Sequence, residues 1–169
     1  MARFWKLLVL ICFLIIIDQL VKGWTQSHFK FEGDSLAVIN GFFSLTYVKN
    51  TGAAFGMGGE GHPIFRAIMF LAIPTFFSFW VLYMLVKTIK GTFYMSLAYA
   101  LILAGAVGNL IDRFTLGYVV DMFHFYWQSW NFWVFNVADS CITVAAFILI
   151  GDMLCHYKKN RNKTQETPS

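Results

Sequence analysis

The sequence predicts an α-helical integral membrane protein: four transmembrane helices, with a small extracytoplasmic β-sheet after the first. Three observations predict it. Of the 169 residues, 58% are hydrophobic and only 13% charged, more apolar surface than a soluble domain of this size can cover. Four stretches each supply the roughly 20 mostly apolar residues that cross a hydrocarbon core of about 30 Å as a helix, the form that satisfies its own backbone hydrogen bonds in lipid. Lys and Arg gather at alternate ends of those stretches, as the positive-inside rule requires of a multi-pass chain.

The first span covers about residues 4–24, around LLVLICFLIII. Arg3 and Lys6 before it mimic the start of a signal peptide, but no small-residue cleavage site follows and DQLVK interrupts the pattern, so the reading is a retained helix. After it, SLAVIN and FFSLTYVKN are rich in β-branched and aromatic residues and meet at Asn40-Gly41, a strong hairpin turn signal. They predict a small sheet on the outer membrane face. The stretch NTGAAFGMGGEGHP is glycine-rich without a Lys-Ser or Lys-Thr, which excludes a phosphate loop. It reads either as a plain surface turn or as a flap over a site. The remaining spans cover about residues 64–86, 93–111 and 134–155.

Arg3, Lys6, Lys87, Lys90 and the basic tail with Lys158, Lys159, Arg161 and Lys163 place both termini in the cytoplasm and the two longer connections outside. The tail, residues 158–169, reads as a positive-inside anchor ending in a disordered stub, not as a nucleic-acid patch. Residues 1–157 read as one membrane domain. Cys12, Cys141 and Cys155 are odd in number, lack metal-ligand spacing and sit in or at the end of apolar helices, as small core hydrophobes do.

On this topology Asp18, Asp112, Asp121 and Asp139 fall at one level, the outer one, with Lys22, Asn50, Asn109, Arg113 and Asn136. Asp152 alone falls at the cytoplasmic end, as an interfacial residue. Asp18 and Lys22 are four apart and face one another on a helix, as do Asn109 and Arg113; Asp112 lies one turn from Asn109, on the flank of the cluster. Asp121 and Asp139 have no basic residue within four positions, so they are the two acids left to meet each other. Two adjacent carboxylates in a low dielectric share one proton. The ionised member can then deprotonate water while the protonated member polarises a carbonyl, the chemistry of an aspartic peptidase. One such acid alone would read as a helix cap, Asp139 standing three residues after Asn136.

Other chemistries lack their parts. His28, His62, His124 and His156 are scattered, with no HExxH, and no GxSxG occurs, which removes zinc and serine hydrolysis. His124 reads as an interfacial side chain. Gly151-Asp152 hints at a presenilin-type protease, but no partner acid lies at its level. A proton-relaying transporter would need polar residues through the midplane or on both sides, and a non-catalytic scaffold would need no acid pair.

At these residues the sequence resembles the bacterial lipoprotein signal peptidases, the signal peptidase II family of aspartic peptidases. DQLVK, NTGAAF, GAVGNLIDR, GYVVDMF and FNVADS carry the resemblance, in this order and spread over most of the chain. It implies an inner-membrane endopeptidase, without cofactor or metal, that cleaves diacylglyceryl-modified prolipoproteins just before the lipidated cysteine. It implies Asp121 and Asp139 as catalytic acids, with Asp18, Lys22, Asn50, Asn109, Asp112, Arg113 and Asn136 holding substrate or bracing the pair. It also implies a β-cradle at about residues 31–57 followed by a mobile flap, inhibition by globomycin-type cyclic peptides, and a working monomer in contact with membrane lipid. Met122 stands where the family commonly has Phe after the catalytic acid, and it keeps an apolar side chain there.

The charge distribution yields a direct test. In a chain whose own three cysteines are replaced, a cysteine at Ser35 should react with an impermeant thiol reagent added outside, and one at Thr164 should not. Reversed labelling would put the acid cluster on the cytoplasmic side.

Overall fold

The computed structural model describes residues 1–52 and 62–165. Helix α1 (Ala2–His28) leads into strands β1 (Ser35–Ile39) and β2 (Phe43–Asn50), followed by α2 (Pro63–Ala67), a π-helical turn (Ile68–Ala72) and α3 (Ile73–Thr88). Helix α4 (Phe93–Thr115), strands β3 (Val119–Trp127) and β4 (Trp130–Asn131) and helix α5 (Val137–Gln165) complete the chain. Four helical spans are long and apolar enough to cross a membrane: Ala2–His28, Ile64–Thr88, Phe93–Thr115 and Val137–Cys155. The glycine-rich residues 53–61, expected as turn or flap, lie outside the described residues.

The second span runs through α2, the π turn and α3, and widens just ahead of Pro74, a residue that has no N–H to give to the turn before it. There the Ile73 N–H reaches back five residues to the Ile68 carbonyl. At the opposite end of the bundle from the sheet, Arg3 donates from Nη1 to the carbonyls of Ile89 (3.0 Å) and Gly91 (2.7 Å), tying the start of α1 to the tight α3–α4 connection. Helix α5 passes residue 157 without a break and continues to Gln165, where a disordered stub was expected. Its KKNRNKTQ stretch includes Lys, Arg and Gln, which favour helix.

Helix α4 is the axis of the bundle. Half of its apolar window is buried inside the protein, against 17% for each of the other spans, whose large side chains such as Phe76, Phe79 and Phe147 point outward to where lipid would cover them. Small residues make that central position possible: Ala98, Ala100, Ala104, Gly105 and Gly108 are buried along α4, and without a hydrophobic force between helices in lipid, close packing of small residues is what holds them together. A Cβ on Gly105 would overlap the Ala138 carbonyl oxygen of α5.

The sheet is antiparallel, in the order β1-β2-β3-β4. The expected hairpin at Asn40-Gly41 joins β1 to β2, with Gly41 at a positive φ of 77° that suits glycine. Half of the sheet, β3 and β4, comes from the third connection, for which the sequence analysis predicts an outer position but no strands. Strand β3 pairs with β2 so that Val48 faces Asp121 and Asn50 faces Val119. Met122 is fully buried in the small core beneath it, with Phe29, Tyr47 and Val120.

Gly105→Ala should therefore destabilise the α4–α5 contact by about 1–3 kcal/mol, the usual cost of overpacking a tight interface. Thermal unfolding in detergent, compared with the same change at exposed Gly151, reads this directly; equal midpoints would mean the helices slide apart freely.

Candidate active site

The polar cluster lies where the second half of α1, the second half of α4, the first turn of α5 and strand β3 meet. At its base is Lys22, 2% exposed. Its Nζ lies 2.8 Å from Asp18 Oδ2 and 3.0 Å from Asp112 Oδ2, and donates to Asn109 Oδ1 at 3.0 Å. An ammonium has three N–H groups and no acceptor, so Lys22 is saturated. The expected Asp18–Lys22 pair is present, and Asp112, expected on the flank, is at the centre. Its Oδ1 accepts from Gln19 Nε2 (2.9 Å) and its Oδ2 from the Val120 N–H (3.0 Å), which pins the start of β3 to α4. Gln19, which no reading of the sequence singled out, also donates to Asp18 and to the Gly108 carbonyl.

Helix α5 begins on this network. Its Ala138 N–H donates to Asp18 Oδ1 (2.9 Å) and its Asp139 N–H to Asn136 Oδ1 (2.9 Å), which satisfies two of the amides that a helix start leaves open. Asn136 is the cap, and the Asp139 carboxylate is thereby free for another use. It accepts from Asn109 Nδ2 at 2.8 Å.

Strand β3 carries Asp121 to the same place. Its Oδ1 accepts from Asn136 Nδ2 (2.6 Å) and its Oδ2 from Asn50 Nδ2 (3.0 Å). Asn136 also donates to Asn109 Oδ1 (3.1 Å), so one amide touches both sides of the Asp121–Asp139 pair. Burial first, and then the Asp139 charge, push the Asp121 carboxyl up to about 7, against the opposing pull of the Asn50 and Asn136 amides and of Lys22. The two ion pairs of this cluster both belong to Lys22. Asp121 and Asp139 have amide donors in place of a cation.

Asn109 and Arg113, expected to face each other, part company. Asn109 is taken by Lys22, Asn136 and Asp139, while Arg113 lies over the Phe70 ring (6.0 Å) and donates to the Gly52 carbonyl (3.2 Å). His124, read as interfacial, stands across β2 at 3.5 Å from Ser44 Oγ. Among the described residues, no three or more His, Cys, Asp or Glu side chains are placed to share a metal ion. The space between Asp18 and Asp112 is filled by the Lys22 ammonium.

A family model described as signal peptidase (SPase) II matches residues 10–155. The chain belongs to the signal peptidase II family. A lipoprotein signal peptidase of Syntrophus aciditrophicus is 36% identical over 145 residues, 86% of this chain and 89% of the relative. Another, from Shewanella sp. (strain MR-4), is 37% identical over 163 residues, 96% and 92% of the two chains. A solved bacterial membrane enzyme superimposes with a TM-score of 0.75 at 28% identity, covering 97% of this chain and 94% of its own. The protein is accordingly a bacterial membrane-spanning peptidase of aspartic type.

Lys22 holds two buried carboxylates at once, and removing one member of a buried ion network costs about 3–5 kcal/mol. Lys22→Met should abolish most folded protein in detergent, as read by size-exclusion chromatography. Adding Asp18→Asn and Asp112→Asn, which removes the stranded charges, should recover a substantial part of the yield. No recovery would show that the ammonium has a role other than neutralisation.

Proposed function

We propose that this peptidase removes the signal peptide from diacylglyceryl-modified prolipoproteins, cleaving just before the lipidated cysteine, with Asp121 and Asp139 as its catalytic pair. The observation that carries the assignment is how the four acids are partnered. Asp18 and Asp112 are ion-paired with Lys22, while Asp121 and Asp139 receive only amide hydrogen bonds. Family membership and the relatives' names support the prolipoprotein substrate.

In this mechanism the shared proton rests on Asp121, whose carboxyl is raised to about 7, and Asp139 is ionised. Asp139 takes a proton from water as its oxygen bonds to the scissile carbonyl carbon, and Asp121 gives its proton to the carbonyl oxygen. The tetrahedral diol then collapses: the C–N bond breaks, the leaving nitrogen takes the proton from Asp139, and Asp121 recovers its own from the diol. Asn50 and Asn136 hold Asp121, Asn109 holds Asp139, and Asp18, Lys22 and Asp112 brace them from below. Arg113 faces the substrate side.

The cluster's place at the end of the bundle opposite Arg3, Lys87 and Lys90 supports cytoplasmic termini and a cytoplasmic tail at 158–169, with the site near the outer face of the inner membrane. A diacylated peptide anchors its lipid in that leaflet and offers its scissile bond at that depth. The chain works as a monomer in this reading, and globomycin-type cyclic peptides inhibit by covering the pair.

Asp121→Asn and Asp139→Asn should each lower turnover of lipidated prolipoprotein by several orders of magnitude per folded molecule, and the double variant should be scarcely worse, because the two act as a unit. Near-normal turnover by either single variant would make that residue a brace.

The pH dependence follows from the Asp121 carboxyl at about 7. Raising the pH through that value removes the proton the carbonyl needs, so kcat/KM should fall tenfold per pH unit above it. The folded carboxyl lies above the ~3.9 of an unfolded Asp, so its contribution to stability is complete below about pH 4 and is lost as pH rises through about 7. A flat profile from pH 6 to 9 in the chemical step would contradict the assignment of the proton to this pair.

A further inference from the structure

Gln19 lies half-buried on α1 and donates to neither Asp121 nor Asp139. Its amide nitrogen stands 3.3 Å from Asp18 Oδ2, 3.1 Å from the Gly108 carbonyl oxygen and 2.9 Å from Asp112 Oδ1. An NH2 group has two hydrogens for these three acceptors, and the shortest contact ends on a charged oxygen, the stronger kind of acceptor.

Asp112 is 2% exposed and has donors on both oxygens: Gln19 on Oδ1, and the Lys22 ammonium and the Val120 N–H on Oδ2. Together they fix the plane of the carboxylate. An ammonium can follow a carboxylate that turns about its Cβ–Cγ bond, whereas a backbone N–H has one direction and its bond weakens steeply when misaligned. With Gln19 gone the group can turn, and the contact it loses first is the one to Val120.

Val120 leads into Asp121, and the sheet holds it weakly at this point. The β2–β3 register shifts between Leu45 and Val48, next to the Val48–Asp121 pair, and such a bulge interrupts the ladder. The N–H of Lys49, which stands opposite Val120, goes to Glu32 Oε1 at 3.2 Å. Side chains take over from the ladder: Asp112 accepts the Val120 N–H at 3.0 Å, and Asn136 Nδ2 donates to the Val120 carbonyl at 3.3 Å. The backbone entering Asp121 is therefore placed from α4, through a carboxylate whose orientation Gln19 sets.

We propose that Gln19 is a positioning residue for the peptidase reaction: by fixing the Asp112 carboxylate it holds the Val120 N–H, and so sets where Asp121 stands against Asp139. The proposal rests on the reading of Asp121 and Asp139 as the catalytic pair. The rival role for Gln19 is a plain tie between α1 and α4 through the Gly108 carbonyl, which would affect folding and leave the reaction alone.

The test uses the full-length chain in phosphatidylcholine nanodiscs, with kcat and KM for lipidated prolipoprotein measured per folded molecule. Amide hydrogen exchange at Val120 is followed in the same samples by NMR of 15N-valine-labelled protein, with fully buried Val81 of α3 as the internal reference. Gln19→Met keeps the length of the side chain and removes its N–H groups. It should lower kcat on the order of tenfold, the scale of a hydrogen bond to a charged group, and leave KM within about twofold, because an interaction felt in the chemical step is lost. Exchange at Val120 should quicken while Val81 keeps its rate. Gln19→Asn, whose amide is one carbon short of Asp112, should give the same pattern and serves if the Met variant folds poorly.

An unchanged kcat would overturn the proposal, whatever happens to Val120. So would Val120 and Val81 exchanging faster together, which would make Gln19 a general tie, or a raised KM at constant kcat, which would make it a substrate contact. Asp121→Asn is measured alongside. Near-normal turnover there would overturn the catalytic pair instead, while exchange at Val120 would still report whether Gln19 holds that strand.

Discussion

A fully buried ammonium is the constraint on which the rest of the structure depends. Leaving Lys22 alone in the bundle would be prohibitive, since an unpaired charge taken from water costs several kcal/mol even after relaxation. Its three hydrogens must therefore find acceptors, and they find them on two helices: Asp18 on α1, Asp112 and Asn109 on α4. Satisfying one charge thereby fixes the rotation of α4 against α1. The acceptors pass the order on, because Asp18 also receives the Ala138 N–H of α5 and Asp112 the Val120 N–H of β3. Three membrane helices and the sheet are registered by the partners of one side chain.

From that frame, two acids are left without a cation, and this is where structure becomes chemistry. Pairing with Lys22 consumes the basicity of Asp18 and Asp112, whereas amide donors orient a carboxylate without neutralising it. The Asp121 carboxyl, buried and facing the Asp139 charge, retains a proton to about 7. A cation beside it would have pulled that proton off. Keeping Lys22 one amide away, behind Asn109, is thus as necessary to an acid pair as bringing the pair together.

Much of this was legible in the sequence, for reasons particular to each element. The spans were legible because a chain of this composition crosses lipid as long apolar helices, and the β1–β2 hairpin because Asn40-Gly41 is a strong turn signal whose glycine takes a positive φ. Asp18–Lys22 was legible because i,i+4 neighbours meet on any helix. Strands β3 and β4 were not, although VVDMFHFYW is rich in strand-forming residues: a strand needs a partner, and the partner here, β2, is about seventy residues away. For the same reason Asp112 was placed at the edge of the cluster and not at its centre, since its donors are Gln19, Lys22 and Val120 and only the folded chain brings them in. Gln19 stood in plain view inside DQLVK between two charged residues of the cluster. Its amide orientation toward Asp112 was the missing signal, and no local period carries it. Helix α5 ran past its expected end because the apolar pattern stops at Cys155, whereas the helical propensity of the tail does not.

The two networks are not separate. Asn109 accepts from Lys22 and donates to Asp139; Asn136 caps α5, donates to Asn109 and donates to Asp121. Through these hydrogen bonds the two amides join the frame of the ion-paired acids to the Asp121–Asp139 pair. Each has one oxygen and one NH2 group, so its orientation is dictated from below: an oxygen already facing Lys22 leaves Asn109 only its NH2 to present to Asp139, and an oxygen facing the Asp139 N–H leaves Asn136 only its NH2 for Asp121. Bonds that satisfy a lysine and a helix end thus determine that the Asp121 and Asp139 carboxylates meet donors. The polarity of the site is inherited from the fold, and a change in either amide would disturb packing and chemistry together.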